Sequence, residues 1–317
     1  MEAFSISPAL LPITVLLCAL AAKYCYQLTT SSQSTFFAFY CQQLANKVNR
    51  QQNSVRQQAI AGWLATLLTL SPIIVILWLF EAFVDVTFIW HFLLVFVSLG
   101  NLRLSYSVTQ IGKQLNQNAN YQAKETLAPL VLRDTSKLSS MGIAKSSIEM
   151  QLLATLQQIY TVVFWYLVLG PLAAVAYRML LEMHYSWNRK LPRFQYFGCS
   201  AEFLVNVFCW LPTRLSFITY FLTHLTPHSA THWQLTRRAF FSLGNSANLS
   251  LVALVNNIKL GGVAMYENEK LRRKEFNVQG QQPAAKDLFK LNKQLNWHSL
   301  TLFVLVSFLF IVFNLSY

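Results

Sequence analysis

The sequence is poor in acidic residues and in charged residues generally. Only 12 of its 317 residues are Asp or Glu, against 25 Lys or Arg, and charged residues make up 12% of the chain while hydrophobic residues make up 54%. Soluble domains carry roughly 25% charged residues, whereas here the hydrophobic residues form long uninterrupted runs. The sequence therefore predicts an integral membrane protein.

Cysteine, common catalytic motifs and a signal peptide are also scarce or missing. No Gly-x-x-x-x-Gly-Lys-Ser/Thr phosphate-binding loop and no His-Glu-x-x-His zinc motif occurs. Residues 1–7 hold no Lys or Arg, so the cationic start of a cleavable signal peptide is absent, and the first apolar run is expected to stay as a span. The five cysteines form no Cys-x-x-Cys pair, so packing explains them better than disulfides or zinc. They are Cys18, Cys25, Cys41, Cys199 and Cys209.

The excess of basic residues lies in the polar segments between apolar runs. The positive-inside rule and anionic lipid headgroups produce this pattern, so the lipid bilayer is an expected partner and nucleic acid is not. We predict a multi-pass protein of the cytoplasmic (inner) membrane with both termini outside. The segments expected in the cytoplasm are 29–59, 105–150, 183–202 and 223–297.

Apolar runs predict an all-α fold with about four full spans and additional broken or re-entrant helices. Segment 151–182 is expected to form two half-helices, because Gly170-Pro171 would kink or end a helix. Segment 203–222 is expected to be partly re-entrant or to lie along the interface, because both its flanks are basic. The four full spans are expected at residues 9–28, 62–80, 88–104 and 298–314.

The polar residues 223–297 are expected to form a cytoplasmic C-terminal region. Their charged run 267–275 is interpreted as a solvated helix face or a contact with headgroups. His224, His228 and His232 have the i, i+4, i+8 spacing that would align three imidazoles on a helix for a transition metal. A proline lies among them, which favours a loop at the membrane surface.

A compact charged motif lies where a polar loop meets an apolar segment. Arg133 and Asp134 are adjacent, Ser136 follows with a hydroxyl, and Glu149 comes about four helical turns later. Such a group could bind an anionic ligand and also offer carboxylates to a metal or an amine. The alternative is that Asp134 or Ser136 caps a helix.

This motif and several later ones resemble the CobD/CbiB family of cobalamin biosynthesis. The matching stretches are LRDTSKL…GIAKSSIE at 132–149, FWYLVLGP at 164–171, AYR at 176–178, FG at 197–198, LPTRL at 211–215 and KLGG at 259–262. The resemblance implies one family domain over residues 1–317. Its parts are three N-terminal spans (1–104), the motif loop with broken helices (105–222), the polar region (223–297) and a C-terminal span (298–317).

The resembled family implies a ligase that joins a corrinoid carboxylate to the amine of an aminopropanol phosphate, with ATP and Mg²⁺ as cofactors and a corrinoid as substrate. Asp134 and Glu149 are the implied catalytic residues. The implied substrate-binding or phosphate-binding residues are Arg133, Ser136, Lys137, Tyr177, Arg178, Arg193, Arg214, Gly261 and Gly262. We expect Arg133, Asp134, Arg178 and Arg214 to converge on one cavity at the cytoplasmic face.

Arg178 and Arg214 are singled out because each lies in or beside an apolar run, where an unpaired charge is costly. A ligand phosphate would give such a charge a partner. The alternative is that these arginines snorkel to the interface or pair with Glu182 or Glu202.

The sequence departs from the family pattern where acidic residues are expected. The pattern Ala-Glu-Asn-x-x-Asp falls on 152–157, where this chain has Leu153, Ala154 and Gln157. Leucine and alanine cannot coordinate Mg²⁺, which requires oxygen ligands. We therefore expect the scaffold to be kept while full ligase activity is absent or very weak. The alternative function is a non-catalytic signalling or sensor protein similar to AmpE-type membrane proteins, which share the scaffold.

Overall fold

The structure is a computed structural model that describes residues 10–29, 36–50, 52–267 and 269–315, with the side chains beyond residue 302 described only in part. The N-terminal residues 1–7 lie outside this range. The elements in chain order are α1 (Leu11–Thr29), α2 (Phe36–Val48), α3 (Val55–Glu81), α4 (Thr87–Ser98), α5 (Leu104–Asn116), α6 (Asn120–Leu127), α7 (Ser140–Thr155), α8 (Thr161–Leu169), α9 (Pro171–Ser186), α10 (Cys199–Thr223), α11 (Ser229–Phe241), α12 (Ser246–Val255), β1 (Leu260–Tyr266), β2 (Glu269–Phe276) and α13 (Ala285–Leu315). Short 3-10 turns occur at Ala128–Leu130 and Pro192–Phe194, and a π-helical turn at Leu156–Tyr160.

The chain divides into two compact units, each built from separated segments. Unit 1 comprises residues 1–102, 158–208 and 303–317, and unit 2 comprises residues 103–157 and 209–302. In unit 1, α9 packs against α2, α3, α4 and α8, so it is the central helix there. In unit 2, α7 packs against α5, α6 and β1. The description of the whole chain as a single family domain stays a prediction.

The core of unit 1 forms around the fully buried Trp187 at the end of α9. Its indole Nε1 donates to the Cys41 carbonyl oxygen at 2.9 Å, and its ring meets that of Phe197 edge to face at 4.9 Å. A Cβ built on Gly198 would lie 1.9 Å from the Trp187 carbonyl oxygen, so only glycine permits this close approach. The buried Cys41 is therefore a packing residue, as the sequence predicted.

Three helices in the described residues are long and apolar enough to cross a membrane, which fits a membrane protein. They are Leu11–Thr29, Val55–Glu81 and the continuous stretch Ser140–Leu169. The prediction of a full span at 88–104 is wrong, because α4 has 12 residues and a span needs about 20. The chain leaves the helix before Gly100, whose amide donates to the Gln158 carbonyl at 3.2 Å. Which segments face the cytoplasm stays a prediction.

The break at Gly170 lies where the sequence predicted it. Gly170 has φ +86°, a conformation that favours glycine, and α9 starts at Pro171 directly after it. The boundary on the N-terminal side was predicted wrongly, because the helical stretch begins at Ser140 and not near residue 151. Ser139 caps this helix by accepting from the Gly142 amide at 3.2 Å, so neither Asp134 nor Ser136 is the cap.

Segment 203–222 belongs to α10, which runs without a break from Cys199 to Thr223 and so does not have the interruption expected of a re-entrant segment. That this helix lies along the membrane interface stays a prediction. Pro212 lies inside α10 and cannot donate to the carbonyl of Phe208 four residues earlier. The Trp165 indole Nε1 supplies the missing bond to that carbonyl at 3.1 Å. The helix therefore continues past its proline.

The described chain is mostly helical, as predicted, but the polar region contains two strands that the all-α prediction did not include. Strands β1 and β2 form an antiparallel hairpin, with an irregularity between Gly261 and Val263. The charged run 267–275 falls mainly on β2, so its interpretation as a helix face is wrong. Most β2 side chains are exposed to solvent on a two-stranded sheet, and this accounts for their charge. The last predicted span, 298–314, is part of the longer α13, and most of its side chains lie outside those described.

Candidate functional site

The candidate site is centred on the carboxylate of Glu149, which is only 3% exposed on α7 in unit 2. Its Oε1 accepts from the Gly261 backbone amide at 2.7 Å. Its Oε2 accepts from Arg133 Nη2 at 2.6 Å and from Arg273 Nη1 at 2.9 Å. One buried acid therefore joins the charged motif, the hairpin and α7.

Two consecutive glycines give the hairpin the shape that this contact requires. Gly261 and Gly262 have φ values of +75° and +86°, in the left-handed region. A Cβ on Gly261 would lie 2.0 Å from the Lys274 carbonyl oxygen, so the strands could not pair as they do with a larger residue. The irregular register beside Gly261 turns its amide out of the ladder and towards Glu149.

Further charged side chains surround the glycines. Lys259 Nζ lies 3.0 Å from Glu275 Oε2. A Cβ built on Gly262 would lie 3.3 Å from Glu275 Oε1 and 3.6 Å from Lys145 Nζ, which places both groups beside the turn. The hydrogen bond and charge of Lys259 lower the pKa of Glu275, so this carboxylate is ionised at neutral pH. The cluster of Arg133, Lys145, Glu149, Lys259, Arg273 and Glu275 has four cations and two anions and is therefore net positive.

Arg273 has an unused donor within this cluster. Its Nη1 is bonded to Glu149, and its Nε donates to the Gly262 carbonyl at 3.3 Å. Its Nη2 is buried and has no hydrogen-bond partner among the residues that the structure describes. Arg133, in contrast, uses both terminal nitrogens, since Nη1 donates to Ser146 Oγ at 2.8 Å. Arg273 is therefore the cation that is positioned to accept an additional anionic partner.

Asp134 and its neighbours form a turn beside the hairpin. The Asp134 amide donates to the Met265 carbonyl at 3.1 Å, and its Oδ1 accepts from the Ser136 amide at 2.8 Å. Hydrogen bonding from Ser136 lowers the pKa of Asp134, with smaller contributions from Lys137 and Lys124. Ser136 and Lys137 are exposed. Arg133 thus contacts Glu149 while the adjacent Asp134 shapes the loop.

Arg214 has a different set of partners in unit 2. It is 2% exposed, and its Nη2 donates to the carbonyls of Ser242 at 2.5 Å and Gly244 at 3.1 Å. Its guanidinium also lies 5.5 Å from the centre of the Phe240 ring. These carbonyls follow the end of α11, where a cation compensates the negative end of the helix dipole. Among the residues that the structure describes, Arg214 donates to carbonyls at a helix end and to the Thr213 hydroxyl, and to no carboxylate.

The remaining candidates lie in unit 1. Arg178 pairs with Glu182 one turn later on α9, which is the arrangement that the alternative interpretation described. Tyr177 is fully buried beside it. Arg193 is exposed, and its Nη2 donates to Asn46 Oδ1 at 2.5 Å. Glu202 pairs with Arg189.

The chain matches one protein family over most of its length. The family model described as CobD/Cbib protein covers residues 33–295. The chain belongs to this family. The cobalamin biosynthesis protein CobD of Stutzerimonas stutzeri (strain A1501) is 24% identical over 233 residues, which cover 74% of this chain and 76% of that protein. The protein of the same name from Chromobacterium violaceum is 26% identical over 256 residues, which cover 78% and 81%. These relatives lend no support to a signalling or sensor role, and no solved structure matches the chain.

The donor set of this CobD/Cbib family member does not fit a divalent metal such as Mg²⁺. Glu149 already accepts from two arginines and one amide, and Glu275 pairs with Lys259. No group of three or more His, Cys, Asp or Glu side chains that could hold a metal is found in the described part of the chain. The three histidines do not form such a group either. His224 follows the end of α10, His228 is the N-cap of α11, and His232 lies within α11. The carboxylates of the cluster are thus engaged by cations and a backbone amide and are not arranged as ligands around a metal.

Sequence reasoning missed Arg273, Lys145, Lys259 and Glu275 as members of the site. One signal could have indicated two of them: Arg273 and Glu275 are two positions apart, so on a strand they share a face. On a helix, positions i and i+2 face different directions, so the helical interpretation of this run separates Arg273 from Glu275. Residues Glu149, Arg133, Gly261 and Gly262 were predicted as site residues and lie together.

Proposed function

We propose that this chain acts in cobalamin biosynthesis and that the cluster around Glu149 binds the phosphate of an aminopropanol phosphate. The observation that carries the proposal is the buried, unpartnered Nη2 of Arg273 in a net positive cluster, within a chain of the CobD/Cbib family. Its relatives in S. stutzeri and C. violaceum are named cobalamin biosynthesis proteins.

The charges of the cluster support an anionic ligand. Glu149 neutralises part of the charge of Arg133 and Arg273 and fixes both guanidinium planes, because it bonds to each of them. The ammonium group of Lys145 lies 3.6 Å from where a Cβ on Gly262 would be, so it adds positive charge beside the turn. A phosphate oxygen that accepts from Arg273 Nη2 would satisfy the free donor and offset the excess positive charge.

In this proposal Glu149 orients cations and is not a general base. A carboxylate that already accepts three hydrogen bonds from charged groups and an amide is a poor proton acceptor. Together with the side chains of Leu153 and Gln157 in place of family acids, this leads us to propose that the chain binds the phosphate substrate but has very weak ligase turnover alone.

Complementation and binding together test the proposal. Titration calorimetry on the detergent-purified chain should detect aminopropanol phosphate, with at least tenfold weaker binding by Arg273→Gln than by Arg272→Gln. Arg272 is the exposed neighbour on β2 and serves as the matched control. No binding by the well-folded wild type would contradict the proposed site.

Activity is tested in a strain that lacks its own cobinamide synthase. We expect little or no growth on the chain alone despite good membrane expression. Robust growth that Glu149→Gln abolishes, with the variant still present in the membrane, would place the chain among active ligases and contradict weak turnover. That result would not contradict phosphate binding by the cluster, which calorimetry tests separately.

A further inference from the structure

A cavity in unit 2 shares no lining residue with the Glu149 cluster. It has a volume of about 300 Å³ and is lined by Thr223, His224, Lys290, Lys293, Gln294, Trp297, His298 and Thr301. Most of these residues belong to one face of α13, at positions spaced by three or four, and the other wall is the end of α10. None of the lining residues is acidic.

Hydrogen bonds and ring contacts hold the back of this cavity. The His224 ring stacks on that of Tyr220 with 4.2 Å between their centres. The Tyr220 hydroxyl donates to Gln294 Oε1 at 3.0 Å, and His298 Nε2 lies 3.0 Å from Ser216 Oγ. His298 is only 3% exposed, so this wall is fixed by packed groups.

The open side of the cavity is basic. Lys290 and Lys293 are exposed, and no carboxylate lies within ion-pair distance of either in the part of the chain that the structure describes. An anion in the cavity would therefore meet two ammonium groups that have no competing acid.

The cavity also lies where α13 changes from polar to apolar. Trp297 is 60% exposed on the same helix, and Leu300 beyond it is 53% exposed. No charged residue follows Lys293 in the sequence. Lysine and tryptophan at the start of an apolar, outward-facing segment mark the headgroup level of a bilayer.

We propose that this cavity binds the phosphate of an anionic phospholipid headgroup, with Lys290 and Lys293 contacting the phosphate and Trp297 lying against the glycerol and upper acyl chain. A free phosphate would use the same ammonium groups, but it would not use the exposed Trp297 and Leu300. The apolar surface beside the lysines therefore favours a lipid.

Native mass spectrometry of the detergent-purified full chain tests this. We titrate dioctanoyl phosphatidylglycerol and, separately, dioctanoyl phosphatidylcholine. The wild type should retain phosphatidylglycerol preferentially. Lys290→Gln/Lys293→Gln should weaken that binding by about 30-fold, which is the combined effect of two lysines near an anionic lipid surface. Lys113→Gln/Lys270→Gln removes the same charge from exposed positions elsewhere in unit 2 and should bind like the wild type.

Three results would overturn the proposal. The wild type could show no preference for phosphatidylglycerol, the Lys290/Lys293 variant could bind it as the wild type does, or the control variant could lose it equally. A further arm adds inorganic phosphate as competitor. If millimolar phosphate displaces the lipid equally well from wild type and from Trp297→Ala, and Trp297→Ala binds the lipid normally, the ligand is a free phosphate and the lipid assignment is wrong.

Discussion

Arg273 Nη1 lies 2.9 Å from Glu149 Oε2, although 124 positions separate the two residues in the chain. The pair connects β2 to α7, and Arg133 completes it from the preceding loop. A buried carboxylate between two guanidinium groups has its negative charge fully compensated, and the Nη2 of Arg273 keeps a donor that has no hydrogen-bond partner among the described residues.

This relationship predicts the effect of Arg273 on anion binding. Arg273→Gln should weaken the binding of aminopropanol phosphate at least tenfold, because a hydrogen bond to a charged group contributes about 1.5–3 kcal/mol. Arg273→Lys should retain part of the affinity, since the charge remains while the planar donor geometry is lost. Calorimetry on the purified proteins measures both. Equal affinities for wild type and Arg273→Gln would exclude Arg273 from the ligand site.

We predict that Glu149 stabilises the fold, whether or not it takes part in catalysis. Glu149→Gln leaves two partly buried guanidinium groups, 10% and 20% exposed, without their counter-charge. This should cost about 3 kcal/mol and lower the melting temperature by roughly 6 °C or more. The exposed Glu269→Gln should melt within about 1 °C of the wild type. Thermal unfolding in detergent compares them. A Glu149→Gln protein with wild-type melting would show that the buried pair does not hold the site together.

The sequence could predict the apolar helices and several members of the site, but not their arrangement. Hydrophobic runs identify helices directly, and Gly170-Pro171 marks a break by its backbone chemistry alone. Glu149 and Gly261 could be singled out by type, yet their contact depends on how α7 packs on β1. The early end of α4 depends likewise on the close approach of Gln158 to Gly100, a tertiary contact without a local signal.

That residues 269–276 form the strand β2 could not be predicted, for a different reason. Its run of charges has no apolar alternation, so local periodicity could not distinguish a strand from a solvated helix. Only pairing with β1 across a glycine turn makes it a strand and turns Arg273 towards Glu149.

Gly261 predicts a backbone effect on the same site. Gly261→Ala places a Cβ 2.0 Å from the Lys274 carbonyl at a φ of +75°, so the hairpin must shift. We expect a loss of more than about 2 kcal/mol in the free energy of unfolding and a loss of anion affinity. Gly142→Ala is the control. Gly142 lies in α7, and the atom nearest to its added Cβ would be a side-chain carbon of Leu138 at 3.2 Å, which can move. Gly261→Ala that melts and binds like the wild type would contradict the fixed turn.

Variants of Arg214 distinguish a structural role of this buried arginine from a role in ligand binding. Its side chain donates to the carbonyls of Ser242 and Gly244 beyond the end of α11, so Arg214→Gln should leave buried acceptors unsatisfied and destabilise the protein by about 2–3 kcal/mol. Arg238 is exposed on α11, and Arg238→Gln should change the free energy of unfolding by less than about 0.5 kcal/mol. Because its contacts are with a helix end, the affinity of folded Arg214→Gln for aminopropanol phosphate should equal that of the wild type. Melting curves and calorimetry on the same preparations measure both quantities. Wild-type stability combined with a tenfold loss of affinity would instead place Arg214 at the ligand, as the family resemblance implies.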